Sequence, residues 1–111
     1  MANIPTVIKN GLALGAEANA GTSGAVVVPV TTLMSSYITN ATAAIAATLA
    51  DGGNGQMKVI KLQTKATNNM VVTPANFTDG TTITFDASAE VAVLIFVDDG
   101  WQVVYTTATV A

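Results

Sequence analysis

The side chains here that could do chemistry are carboxylates, amines and a few aromatic rings. Asp79, Asp86, Glu90, Asp98 and Asp99 fall close together near the C-terminus, and gathered in space they would offer the all-oxygen ligands that calcium takes. No loop among them places ligands at alternate positions and closes on a Glu, as an EF-hand does. Most stand beside Gly, Ser or another turn residue, where a carboxylate solvates a tight bend. Two carboxylates could also hydrolyse a glycoside, but that reaction needs a sugar cleft, and 111 residues leave little chain to build one. Lys58 and Lys61 belong on opposite faces of one strand, with Lys65 in the loop that follows. They read as strand-edge lysines that discourage stray pairing. Trp101, Val103 and Tyr105 alternate along a final strand, a row suited to core or subunit contact, or to stacking on a sugar ring. Gly52-Gly53-Asn54-Gly55 lacks the Lys-Ser/Thr of a phosphate-binding loop and reads as a connector.

What is missing narrows the chemistry further. The chain has no His, Cys or Arg; four lysines stand against seven acids, for a formal net charge of −3 and an isoelectric point near 4.3. Imidazole bases, thiolate nucleophiles and the usual zinc sites are excluded. Phosphate-backbone binding has no electrostatic footprint. Charged residues make up 10% of the chain, against roughly 25% in ordinary soluble domains. Mean hydropathy is +0.52 although aromatics are only 5%, so the apolar character lies in Ala, Val and Thr methyls. The expectation is a protein that is not an enzyme, uses no cofactor or metal, and works through its surfaces. Met1-Ala2-Asn3-Ile4-Pro5 lacks a secretory n-region and h-region, and the apolar stretch Ala25 to Val30 is far short of a membrane span.

The elements that must position these surfaces fall into three zones: an extended N-terminal arm with a short strand over 1–30, a helix and Gly-rich connector over 31–53, and a β-domain over 54–111. The arm, Met1 to Gly24, shows no clear period. It carries Ile4, Val7, Ile8, Leu12 and Leu14 with few charges, which suits a segment lying on another surface better than a solvated tail. Val26, Val27 and Val28 lead through Pro29 to Val30 as a β segment, which Pro29 confines to an edge. From Thr32 to Ala50, Met34, Ile38, Ala41, Ile45 and Leu49 recur at steps of three and four, predicting an amphipathic helix with Thr31 as its N-cap and Gly52-Gly53 as its stop. No charge occurs between Glu17 and Asp51. The other face of such a helix, small and uncharged, suits close packing by other subunits.

Strand signals fill the rest: Gln56 to Leu62, Met70 to Thr73, Thr81 to Phe85, Val91 to Val97 and Trp101 to Thr107, each bounded by turn residues. The last two predict a hairpin with a three-residue loop ending in a left-handed Gly100. Ile83 and Phe85 oppose Thr82 and Thr84, so that strand has one wet face. Val91, Val93, Ile95 and Val97 oppose Ala92, Leu94 and Phe96, so this strand calls for cover on both faces. The expected fold is mainly β, an arm and one helix followed by a small antiparallel β-sandwich or barrel that forms oligomers.

The order Asp51-Gly52-Gly53-Asn54-Gly55-Gln56-Met57-Lys58-Val59-Ile60-Lys61-Leu62, Met70-Val71-Val72-Thr73-Pro74, Gly80-Thr81-Thr82-Ile83-Thr84-Phe85-Asp86 and the Gly100-Trp101 hairpin resembles a small β-module of tailed-bacteriophage virion proteins, notably capsid decoration (cement) proteins. The resemblance covers Asp51 to Ala111. It implies a non-enzymatic role on the capsid surface of a virion made in the bacterial host cytoplasm. The partners it implies are the major capsid protein and other copies of the chain, usually as a homotrimer, with no nucleic acid or membrane. On that reading Ile4, Val7, Ile8, Leu12, Leu14, Val26 and Val28 would meet the capsid, and Met34, Ile38, Ala41, Ile45, Leu49, Leu94 and Phe96 would mediate self-association. The alternative is a trimeric fibre or spike tip that binds host glycan through Trp101 and Tyr105.

Overall fold

Between Gly24 and Leu49 the described side chains alternate inward and outward, with Val28, Ser35, Tyr37, Thr39, Ile45, Ala47 and Leu49 buried and their neighbours at least partly exposed. A period of two is the signature of strands. The structure, a computed structural model, describes residues 15–39 and 43–111, with residues 17–22 as backbone only. Ten strands form among the described residues: β1 (Ala16–Thr22), β2 (Gly24–Val28), β3 (Met34–Thr39), β4 (Ile45–Leu49), β5 (Met57–Thr64), β6 (Met70–Pro74), β7 (Ile83–Phe85), β8 (Glu90–Val97), β9 (Gly100–Thr106) and β10 (Thr109–Val110).

They make two five-stranded sheets, sheet A in the order β1-β3-β5-β8-β9 and sheet B in the order β10-β7-β6-β4-β2. The first six strands visit the sheets in turn, odd strands in A and even strands in B, and pair in parallel within each sheet. The chain therefore winds as a flattened two-layer coil of three turns. β7 to β10 then reverse direction, pairing antiparallel to β6 and β5 and to each other. The expected β-sandwich-like body is present, but its sheets are mixed rather than antiparallel.

The expected helix does not form; β3 and β4 occupy its place. Steps of four satisfy a strand as well as a helix, because an even step returns to the same face. Met34 and Ile38 lie on one side of β3, and Ile45 and Leu49 on one side of β4. β-branched and aromatic residues such as Tyr37, Ile38, Thr39, Ile45 and Thr48 favour strands, and each strand gains a parallel partner on both sides. Ala41 lies outside the described residues.

The core lies between the sheets. Val28, Tyr37, Ile45, Leu49, Ile60, Leu62, Met70, Val72, Ile83, Phe85, Leu94 and Trp101 are buried in it, each large aliphatic or aromatic side chain contributing about 1.5–3 kcal/mol on burial. Trp101 closes one end. Its Nε1–H donates to the Ala50 carbonyl at 2.9 Å, and its ring meets Phe96 edge-on at 5.2 Å. Gly52 packs beneath it: a Cβ there would stand 3.1 Å from the indole and 2.7 Å from Gln56 Oε1, so a side chain would crowd both.

The hairpin forms with a tighter loop than expected. Val97 pairs with Gly100, leaving Asp98 (φ 53°) and Asp99 (φ 59°) as the two left-handed residues of a type I′ turn. Gly100 is required for a different reason: a Cβ there would stand 2.6 Å from the Asn76 carbonyl oxygen.

Candidate functional site

The two sheets differ in how their outer faces are built. In sheet A the register aligns Ala16, Met34, Val59, Val93 and Tyr105 in one row across all five strands. Beside it, Met57 pairs with Ile95 and Lys61 with Val91. Met34, Ile38, Val59, Val91, Val93, Ile95 and Val97 are half-buried, and Met57, Val104 and Tyr105 are exposed. No described strand lies over this face. Sheet B presents Ala25, Val27, Ala46, Thr48, Val71, Thr73, Thr84 and Thr109 outward, a surface of small side chains, half of them hydroxylated. Val27 is its largest exposed apolar group, at 74%.

A bulge shapes the far edge of the sheet A face. Val93 pairs with Tyr105 and Leu94 with Val103, so Val104 is the extra residue. Trp101 and Val103 face the core, and the bulge turns Tyr105 to the outside. The expected single row of Trp101, Val103 and Tyr105 is therefore split. Trp101 is fully buried, while Tyr105 remains exposed at 58%.

Beside Met57 and Val59 of this face an open hollow of about 490 Å³ lies between Val30–Leu33 and Gly55–Met57. No charged side chain lines it, so it offers shape and apolar contact rather than acid–base chemistry. Gln56 ties its walls together, donating from Nε2 to the Val30 carbonyl and accepting from Gly53 N–H at 2.9 Å. Lys58 turns inward between Met57 and Val59. It is fully buried, and its Nζ donates to the Thr32 carbonyl at 2.9 Å and to Thr32 Oγ1 at 3.1 Å. Lys58 and Lys61 do take opposite faces, but β5 is the middle strand of sheet A, so neither guards an edge.

The carboxylates serve separate turns. Asp79 Oδ2 accepts the Val103 N–H at 2.6 Å; Glu90 Oε1 accepts from Asp86 N–H and Ala87 N–H at 2.8 and 2.6 Å; Asp51 Oδ2 accepts from Asn76 Nδ2 at 2.8 Å. Among the described residues no group of three or more metal-ligating side chains comes together. No protein-family model matches the chain, and no curated protein matches it either.

The residues expected at interfaces divide sharply. Ile45, Leu49, Leu94 and Phe96 point into the chain's own core, as does Val28, with Val26 packed against it. Met34 and Ile38 are on the outer face of sheet A. Ile4, Val7, Ile8, Leu12 and Leu14 lie outside the described residues. Sequence reasoning missed Val59 as a surface residue because it stands between Lys58 and Ile60, in a strand whose two faces both look mixed. Its parallel neighbour Met34 was the missing signal.

The sheet ends differ as well. The start of β9 is closed by the 76–79 loop, where Trp101 N–H donates to the Asn76 carbonyl and Thr78 N–H to the Trp101 carbonyl, both at 3.0 Å. Beside β10, Thr81 and Thr82 N–H groups donate to the Ala111 carbonyl at 2.6 and 3.1 Å. At the other end β2 is the edge of sheet B, and no described segment pairs with its outer side.

Proposed function

We propose that this chain is a non-enzymatic structural protein of a virion: a decoration protein that binds the outer surface of a phage head, contacting the major capsid protein and other copies of itself. One observation carries the reading, the outer face of sheet A, where Ala16, Met34, Val59, Val93 and Tyr105 align in one apolar row across five strands with no described strand over it, a face suited to packing by other copies. Contiguous apolar surface of this kind marks an interaction site. The edge strand β2 supports a second contact, because an uncharged edge is suited to pairing with a strand of a neighbouring protein. Its sequence, Gly24-Ala25-Val26-Val27-Val28, has no charge to block addition. The N-terminal residues Ile4, Val7, Ile8, Leu12 and Leu14 would reach across the shell. Many copies on one lattice would multiply a modest single-site affinity. No cofactor, nucleic acid or membrane is needed for this role. Burial of Trp101 weighs against the glycan-binding alternative, which loses one of its two stacking platforms.

The test is co-sedimentation. Heads assembled from the proposed partner capsid protein should carry it down in proportion to their lattice sites. A variant lacking residues 1–14 should remain in the supernatant with its circular dichroism unchanged. Full-length protein that stays in the supernatant ends the proposal.

A further inference from the structure

We propose that the outer face of sheet A is the surface on which two copies of this chain pack, sheet against sheet about a twofold axis. The inference deepens the self-association part of the function proposed above and is independent of what the assembly coats. Three properties of the face select a second copy as its occupant.

The first is charge. Met34, Val59, Val93 and Tyr105 run in register with Met57 and Ile95 alongside; Ser36 and Gln102 share the face, and Lys61 is the charged side chain among them. A strongly charged partner would find one ammonium per copy to pair with, whereas an identical face brings only a second Lys61, which water at the rim can solvate. Lys61 is half-buried, and its stem can lie along apolar surface while the ammonium stays at the rim. The second is shape. Two sheets with the same twist pack about 10 Å apart with their strands nearly aligned, so a twisted sheet is complementary to its own copy. The third is area. Five strands about 4.8 Å apart, with roughly six residues each rising about 3.3 Å, give a face of about 24 by 20 Å. Two such faces remove about 1,000 Å² from solvent, the lower bound for a specific interface, before the relief of Met57 and Tyr105 is counted.

The outer face of sheet B lacks these properties, since its threonine hydroxyls would lose hydration on packing and its side chains are short. An isologous pair also closes on itself, leaving no copy of the sheet A face free. A twofold pair is therefore favoured over a threefold cluster.

Light scattering on the full chain at tens of micromolar should give twice the 11.2 kDa of one chain. Val93→Lys should halve that mass, and Val27→Lys, on sheet B, should not. The chain has no cysteine of its own, so Val59→Cys at the centre of the face should form an intermolecular disulfide under mild oxidation while Val27→Cys does not. This second measurement decides the matter if Val93→Lys fails to fold. A wild-type mass of one chain or of three overturns the proposal, as does crosslinking through Val27→Cys in place of Val59→Cys. A Val93→Lys monomer that still sediments with heads would separate this interface from capsid binding.

Discussion

Replacing Trp101 with alanine removes three things at once: a ring filling the end of the core, its edge-on contact with Phe96, and the Nε1–H that donates to the Ala50 carbonyl. Large aromatic truncations in cores cost about 3–5 kcal/mol, and urea unfolding followed by circular dichroism should show a loss of that size. Trp101→Phe keeps much of the packing but orphans the carbonyl, and should cost less, about 1–2 kcal/mol. Ser35 is the opposite case. Its Oγ is buried with no hydrogen-bond partner among the described residues. Ser35→Ala should raise stability by about 1 kcal/mol, read from the same unfolding curves. The aromatic character of Trp101 was legible in the sequence, but its burial was not. Nothing local signals that Ala50, fifty-one positions away, supplies the carbonyl, or that a bulge at Val104 would separate Trp101 from Tyr105.

At the scale of elements, the strands from β5 onward were legible because each combines β-branched residues with turn signals on both sides. β3 and β4 were not. Their apolar residues recur at steps of four, which a helix and a strand share, and Ala43 to Ala47 adds helix propensity. Only parallel neighbours on both sides decide the matter, and those lie outside any local window. The loop of the last hairpin is one residue shorter than Gly100 suggests, because Asp98 and Asp99 are the left-handed residues. Its glycine is fixed by the approach of Asn76 from another loop. Two predictions separate these roles. Asp99→Gly places glycine where φ is positive and should stabilise the hairpin by about 0.5–1 kcal/mol. Gly100→Ala drives a Cβ against backbone and should cost about 1–3 kcal/mol. Were both glycine effects due to turn conformation alone, Gly100→Ala would be nearly silent in thermal unfolding.

For the whole molecule, the sequence of one turn of the coil is written again in the next. Ala41-Thr42, Ile45-Ala46-Ala47-Thr48-Leu49-Ala50 returns as Ala66-Thr67, Met70-Val71-Val72-Thr73-Pro74-Ala75, and β4 pairs with β6 at this same offset, Ile45 on Met70 and Leu49 on Pro74. The step from Met34 to Val59 in sheet A is identical. This repeat was the signal that could have revealed the coil. It was hidden because Ala and Val exchange between the copies and Leu49 becomes Pro74. A physical consequence follows for cooperativity. Stacked turns bury their apolar faces against one another, so neither sheet is complete without residues from both halves of the chain. A fragment beginning at Asn54 would expose the sides of β5 and β6 that β3 and β4 cover, and should give neither a cooperative thermal transition nor dispersed amide resonances. In the full chain Trp101, the single tryptophan, reports on the closed end while far-UV circular dichroism reports on every strand. The two probes should trace one coincident unfolding curve. Separate transitions, with the fluorescence change following loss of part of the dichroism, would mean that the turns unfold one by one.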